Sequence, residues 1–346
     1  MSNVNGLYVG GNSQDDKLYV AKLDDKNNTF SPSTLTGTPS GDGINSMAVY
    51  NGELYIGGNS ILSYLAKLDN NTNIFGKNLI TDFNIGIINA MTVYNKKLYL
   101  GGGGAVAVYD GKFLPPELFI YNGIPDKSTP NKIHVMTSYN DSLYIGGNYT
   151  STDGGTYNLY VAKLDDKNKT FTSITFPDGA PTSGNYGDTG IWSMAVYKET
   201  LYIGGAICNK KATEVTCTPY LAKLDNNTFG TNLITQQKDK TLLDIEFINA
   251  MIQYKDTLYL GSEGGVVTYD GKEFSPVVST SVINSMTIYN GELYASGIQG
   301  DVIKLNNNNK WTTISKDQSY ISSMIDYHPD VLHADQSGLR IYKKNY

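Results

Sequence analysis

Few side chains in this 346-residue chain are equipped for chemistry. There are three histidines, His134, His328 and His333, and two cysteines, Cys208 and Cys217. Histidine can move a proton or hold a metal; cysteine can attack, ligate or cross-link. No histidine stands at a metal-ligand spacing such as His-x-x-x-His, and no Gly-x-Ser-x-Gly elbow occurs. Gly-Gly pairs recur, but no Lys-Ser/Thr and no helix signal follows them, so they do not read as phosphate loops. Acidic runs such as Asp24-Asp25-Lys26-Asn27-Asn28 lack the Gly and closing Glu of a calcium-binding EF-hand loop and read as turns. The sequence therefore assigns no catalytic residue, no metal site and no cofactor. Cys208 and Cys217, nine positions apart, are expected to clip a hairpin loop with a disulfide, the alternative being two free thiols. A disulfide implies an oxidising compartment, hence export, and the expected setting is an exported or extracellular bacterial protein, although residues 1–5 lack the basic start and apolar stretch of a secretory leader.

The elements that must carry these residues are set by a repeat. Leu-Tyr-(Ile/Val/Leu)-Gly-Gly begins at Leu7, Leu54, Leu98, Leu143 and Leu201, with looser copies from Leu258, Leu293 and Val331. The copies lie 35 to 58 residues apart. A period of roughly 40–50 made of short strands marks propeller blades. Each unit reads as four strands. Strand A is typified by Ile44-Asn-Ser-Met-Ala-Val-Tyr50, then comes an Asn51-Gly52 hairpin turn, strand B from Leu54, strand C from Tyr64, and strand D around an aromatic residue. No segment shows capped helical periodicity. Of 27 tyrosines, 21 fall at fixed strand positions, as do seven of eight methionines, and these read as packing between blades.

The Tyr-x-Gly-Gly ending of strand B, the Tyr109-Asp110 and Tyr269-Asp270 pairs of strand C and the strand D aromatic resemble kelch-type repeats, the family that includes the galactose oxidase propeller. The resemblance covers nearly the whole chain. It departs in using Phe for Trp at six of seven D positions and Leu-Asp for Tyr-Asp in most C strands. It implies a propeller and no activity, since the fold hosts binders and enzymes alike. Nothing matches the Cys, Tyr and His set of a copper-radical centre.

The expected architecture is therefore all-β: one β-propeller domain over residues 1–346, built of four-stranded antiparallel blades. Eight blades are favoured, because 331–344 still reads as a B and C pair. The alternative is seven, with 321–327 completing the N-terminal blade.

Composition excludes two partner classes. Twenty-seven basic residues against 33 acidic ones, with Arg340 the single arginine, argue against nucleic acid. Apolar runs fall far short of the roughly 20 residues needed to span a bilayer. The long connections, 118–132, 148–158, 175–190, 206–219 and 234–247, are all B–C or D–A and so emerge on one face. Their residues, taken with the other B–C and D–A connections, hold sixteen acids and eight lysines. Variable loops on a rigid frame are where binding usually resides.

The second residue of strand A should lie at the channel mouth on that face. It reads Asn45, Asn89, His134, Trp192, Asn249, Asn284 and Ser322 down the chain. His134 and Trp192 break the pattern in adjacent blades, between the longest loops, which also hold Tyr149, Tyr157, Tyr186, Asp153 and Asp188. Aromatic rings beside polar groups suit a sugar or a peptide side chain. The expected function is a non-enzymatic binding propeller presenting an acidic loop face to a protein or glycan. The alternative is a hydrolase or lyase using Asp153, Asp178 and Asp188 around His134. A purely structural role in a larger assembly is a third reading. Oligomeric state is not legible.

Overall fold

Strand pairing follows the repeat. The structure, a computed structural model, describes residues 5–328 apart from 14, 16, 37–42, 60–62, 82–83, 113–119, 123–131, 152–153, 178–182, 236–244, 279–280, 298–299 and 317–318. Its described strands form seven antiparallel-built sheets around a ring. In the first blade, Tyr320–Tyr327 is strand A, followed outward by Gly6–Asn12, Leu18–Asp24 and Thr29–Pro32. Strand A of blades two to seven is Gly43–Tyr50, Ala90–Tyr94, Lys132–Tyr139, Gly190–Tyr197, Ala250–Tyr254 and Ser285–Tyr289. The ring thus closes with seven blades, and the eight favoured from the repeat count is corrected. Tyr320–Tyr327 pairs with Gly6–Asn12 and completes the N-terminal blade. Residues 331–344, which suggested an eighth, lie outside the described residues, as does the strand D aromatic Phe113.

The Gly-Gly pair has two separate jobs. A Cβ on the first, Gly57, would sit 2.7 Å from Ile88 Cγ2, a side chain of strand A's entry in the next blade. A Cβ on the second, Gly58, would sit 2.1 Å from the Gly43 carbonyl oxygen of its own blade's strand A. The first glycine lets neighbouring blades close; the second lets strand A bulge. Apolar side chains on facing sheets fill the space between blades, as where Tyr8 and Val20 meet Ile44, Leu54 and Ile56.

A tyrosine ends strand A in every blade, and six of the seven clasp the next blade on the plain face through their hydroxyls. The hydroxyls of Tyr94, Tyr139, Tyr197, Tyr254 and Tyr327 donate to backbone carbonyls of Asp141, Glu199, Asp256, Gly291 and Gly52, each in the following A–B turn. Tyr289 donates to the Asp25 carboxylate at 2.6 Å, and Tyr94 also reaches the Asp166 carboxylate. The acidic C–D turns are accounted for by this clasp and by their own Asx turns, such as Lys26 N to Asp24 Oδ1 at 2.9 Å.

Candidate functional site

In blades one, two, four and five strand A enters its sheet through a β-bulge. The register skips Asn45 in blade two, His134 in blade four and Trp192 in blade five. A bulged residue leaves the ladder, and its side chain is re-aimed. In blades one, two, three and six the side chain at this position is a tie to the neighbour. Asn45 Nδ2 donates to Asn89 Oδ1 at 3.3 Å, and Asn89 Nδ2 to the Ile133 carbonyl at 3.2 Å. Asn249 Nδ2 donates to Asn284 Oδ1 at 3.3 Å, and Ser322 Oγ to the Ile44 carbonyl.

His134 and Trp192 form no such tie. Their rings stack on each other, centroids 3.8 Å apart and 26° from parallel. In blade five the tie passes to the next residue, Ser193, whose Oγ donates to the Ile248 carbonyl at 3.0 Å. Trp192 is half-buried, and its Nε1 donates to the Asp188 carbonyl at 3.3 Å. His134 Nε2 is sealed from solvent without a hydrogen-bond partner among the described residues. Burial, with the Lys132 ammonium adding to it, pushes the imidazole down to about 3. The ring is therefore neutral at physiological pH.

One wall of the site is a segment wedged between two blades. Ser183–Gly184 pairs with Tyr157 and Asn158 of blade four. Asn185 exchanges two bonds with Lys210 in blade five, at 2.6 and 3.1 Å. Thr189 Oγ1 takes the Cys208 amide at 2.9 Å and donates to the Cys208 carbonyl at 3.2 Å. Lys210 Nζ lies 5.7 Å from the centre of the Tyr186 ring, and the Tyr157 ring lies against Gly187.

The hairpin that this segment braces is more regular than the loop expected over 206–219. Thr200–Lys211 and Glu214–Asp225 stay paired throughout, and Cys208 faces Cys217 directly. The two are bridged, with Cα atoms 4.1 Å apart.

His134, Trp192, Tyr157, Tyr186 and Asp188 are thus gathered on or beside one segment. Tyr149 is not with them. It sits directly across from Asn158, on the opposite sheet face to Tyr157, and packs edge-on to Tyr160 in the core between blades three and four. Asp153 and Asp178 lie outside the described residues. Two acids that the sequence did not single out, Glu246 and Glu263, join Asp188 in one electrostatic group. Glu263 has its carboxyl pKa raised by burial, then by the charges of Glu246 and Asp188. Three different connections supply these carboxylates, so no local spacing could have revealed them.

No protein-family model matches the sequence, and no curated protein matches it. Solved structures do. A Dos1 propeller is similar with a TM-score of 0.52 at 13% identity, over 93% of this chain and 87% of that one. The WD40 propeller domain of Doa1 is similar with a TM-score of 0.52 at 10% identity, over 81% and 85%. Identity this low establishes the propeller fold alone; the kelch-type resemblance is not confirmed by a family match.

Proposed function

We propose that this propeller is a non-enzymatic interaction module that presents its B–C/D–A face to a protein or glycan ligand. One observation carries the reading: Ser193 takes over the inter-blade tie in blade five, which frees Trp192 from the structural duty of its position. A freed indole, half-exposed at the channel mouth and steadied by His134 and Asp188, is a contact residue without another task. The exposed large apolar side chains among the described residues, Ile87, Val215, Val278 and Tyr320, all belong to B–C or D–A connections or their junctions with strand A. That distribution supports the same face. The enzyme alternative gains no support at His134, because burial and a lysine depress its pKa, whereas a catalytic carboxylate partner would raise it. The disulfide supports an oxidising, extracytoplasmic setting.

A peptide and glycan array probed with the wild-type chain and with Trp192→Ala tests the reading. Ligands retained by the wild type should be lost by the variant. Ligands that all survive the substitution would place binding elsewhere.

A further inference from the structure

We propose that the Cys208–Cys217 bridge is a site of thiol–disulfide exchange with a dithiol reductant, and that its opening releases the segment 183–189 from blade five. The inference goes beyond the binding reading and does not depend on it. In blade two the B–C hairpin ends at the pair Asn59 and Ser63. The blade-five hairpin continues past the equivalent pair, Ala206 and Pro219, through five more, from Ile207 opposite Thr218 to Lys211 opposite Glu214. Its outer part, residues 209–216, is exposed throughout. A two-stranded ribbon standing clear of its sheet is marginal by itself. The bridge and the segment 183–189 are what fasten this one.

The bridge does little for the ring as a whole. It spans a sequence separation of 9 and joins residues that the strand ladder already sets face to face. Short loops gain least from a cross-link. Its effect falls on the Cys208 backbone, which turns its polar groups away from Cys217 and onto the segment. The Cys208 amide donates to Thr189 Oγ1 at 2.9 Å. Its carbonyl accepts from Thr189 Oγ1 and from the Tyr186 amide, each at 3.2 Å. A Cβ on Gly184 would sit 2.2 Å from that same carbonyl oxygen. The Asn185 amide adds a bond to Asn209 Oδ1 at 3.3 Å. With the bonds between Asn185 and Lys210, the anchorage of the segment on blade five falls on 208–210.

Access to the bridge is one-sided. Cys208 is fully buried, whereas Cys217 is partly exposed. Exposed bridges are the ones open to exchange, and a thiolate reaches the Cys217 sulfur first. A new S–S bond forms to Cys217, the bond to Cys208 breaks, and Cys208 leaves as a thiolate that takes up a proton. The second thiol of the reductant then displaces Cys217 as a thiol and closes the reductant's own disulfide. Two electrons pass from the dithiol to the bridge, with no other co-reactant. Once the bridge is open, the outer ribbon separates more often and the Cys208 groups leave Thr189 and Tyr186. The same segment carries the Asp188 carbonyl that holds Trp192 Nε1, so the change reaches the channel mouth.

The test compares the full chain, oxidised and after dithiothreitol treatment without denaturant, by mass spectrometry of alkylated thiols and by residue-resolved amide exchange. Both cysteines should become alkylated while the ring stays folded. With glutathione, a monothiol, the adduct caught by alkylating the freed thiol should map to Cys217. In the reduced chain the Tyr186 and Thr189 amides should exchange at least about tenfold faster, while those of Lys132–Tyr139 keep their rates. The double variant Cys208→Ser, Cys217→Ser should show the same pattern without any reductant. The proposal falls if the bridge yields only after unfolding, if the adduct sits on Cys208, if reduction melts the ring, or if the Tyr186 and Thr189 amides exchange alike in both states.

Discussion

Trp192 and His134 make one stacked unit, and each carries its own expectation. Truncating a buried core tryptophan costs about 3–5 kcal/mol. Trp192 is half-buried, packs on one ring and has its tie duty performed by Ser193. Trp192→Ala should therefore abolish ligand retention while costing about 1–2 kcal/mol, well under the core range. A loss of the full core size in urea denaturation would assign the ring to the frame. His134 gives a pH signature. Its folded pKa, about 3, lies below its unfolded value. Below about pH 6.5 the unfolded chain takes up a proton that the folded one refuses. The stability this histidine contributes is present above that pH and is lost as pH falls toward 3. His134→Phe should flatten the stability profile across that window by up to about 1.4 kcal/mol per pH unit. Parallel profiles for variant and wild type would contradict the burial argument. These two residues were legible in the sequence because they interrupt a run of asparagines at one repeat position. Glu246 and Glu263 were not, since their electrostatic pairing with Asp188 depends on how connections from different blades fold.

Strand B shows how much of an element's sequence answers to its neighbours. Gly57 faces a movable isoleucine side chain, whereas Gly58 faces the backbone carbonyl of Gly43. Gly57→Ala should be met by a shift of Ile88 and cost about 1–3 kcal/mol, as overpacking does. Gly58→Ala must move backbone and erase the bulge, so it should cost more and reduce the yield of folded protein. Equal melting temperatures for the two would remove the distinction. The sequence showed that small residues end strand B but not that each glycine has a different obstacle, because one obstacle belongs to another blade. The blade-five hairpin was misread for a related reason. Polar, charged residues over 206–219 look like a loop, yet the pairing continues through Cys208 and Cys217 to Lys211 and Glu214. Replacing both cysteines by serine should speed amide exchange from 207 to 218 and leave the rest of blade five unchanged. Uniform acceleration across the blade would show that the bridge supports more than the hairpin.

Blade count is a property of the whole molecule, and it eluded the repeat for that reason. Each unit announces itself through local pattern, but closure depends on which strand completes the first blade. That pairing joins Tyr320–Tyr327 to Gly6–Asn12 across almost the entire chain. The inner strand of blade one is thus held to its own sheet without a short covalent turn, and Tyr327 fastens it to blade two. Its hydroxyl reaches the Gly52 carbonyl at 2.9 Å and Asn70 Oδ1 at 2.8 Å. Tyr197 makes the corresponding clasp to Asp256 at 3.0 Å, but its strand runs directly through the Lys198-Glu199 turn into its neighbour. Removing either hydroxyl should cost about 1–2 kcal/mol, the range for a lost hydrogen bond and an abandoned buried acceptor. The kinetics should differ. Tyr327→Phe should raise amide exchange in Gly6–Asn12 and Tyr320–Tyr327 selectively, because the seam opens before the ring unfolds. Tyr197→Phe should leave those amides at wild-type rates. Matching exchange patterns in the two variants would mean that the seam is no weaker than any other junction, and that the ring opens at all seven together.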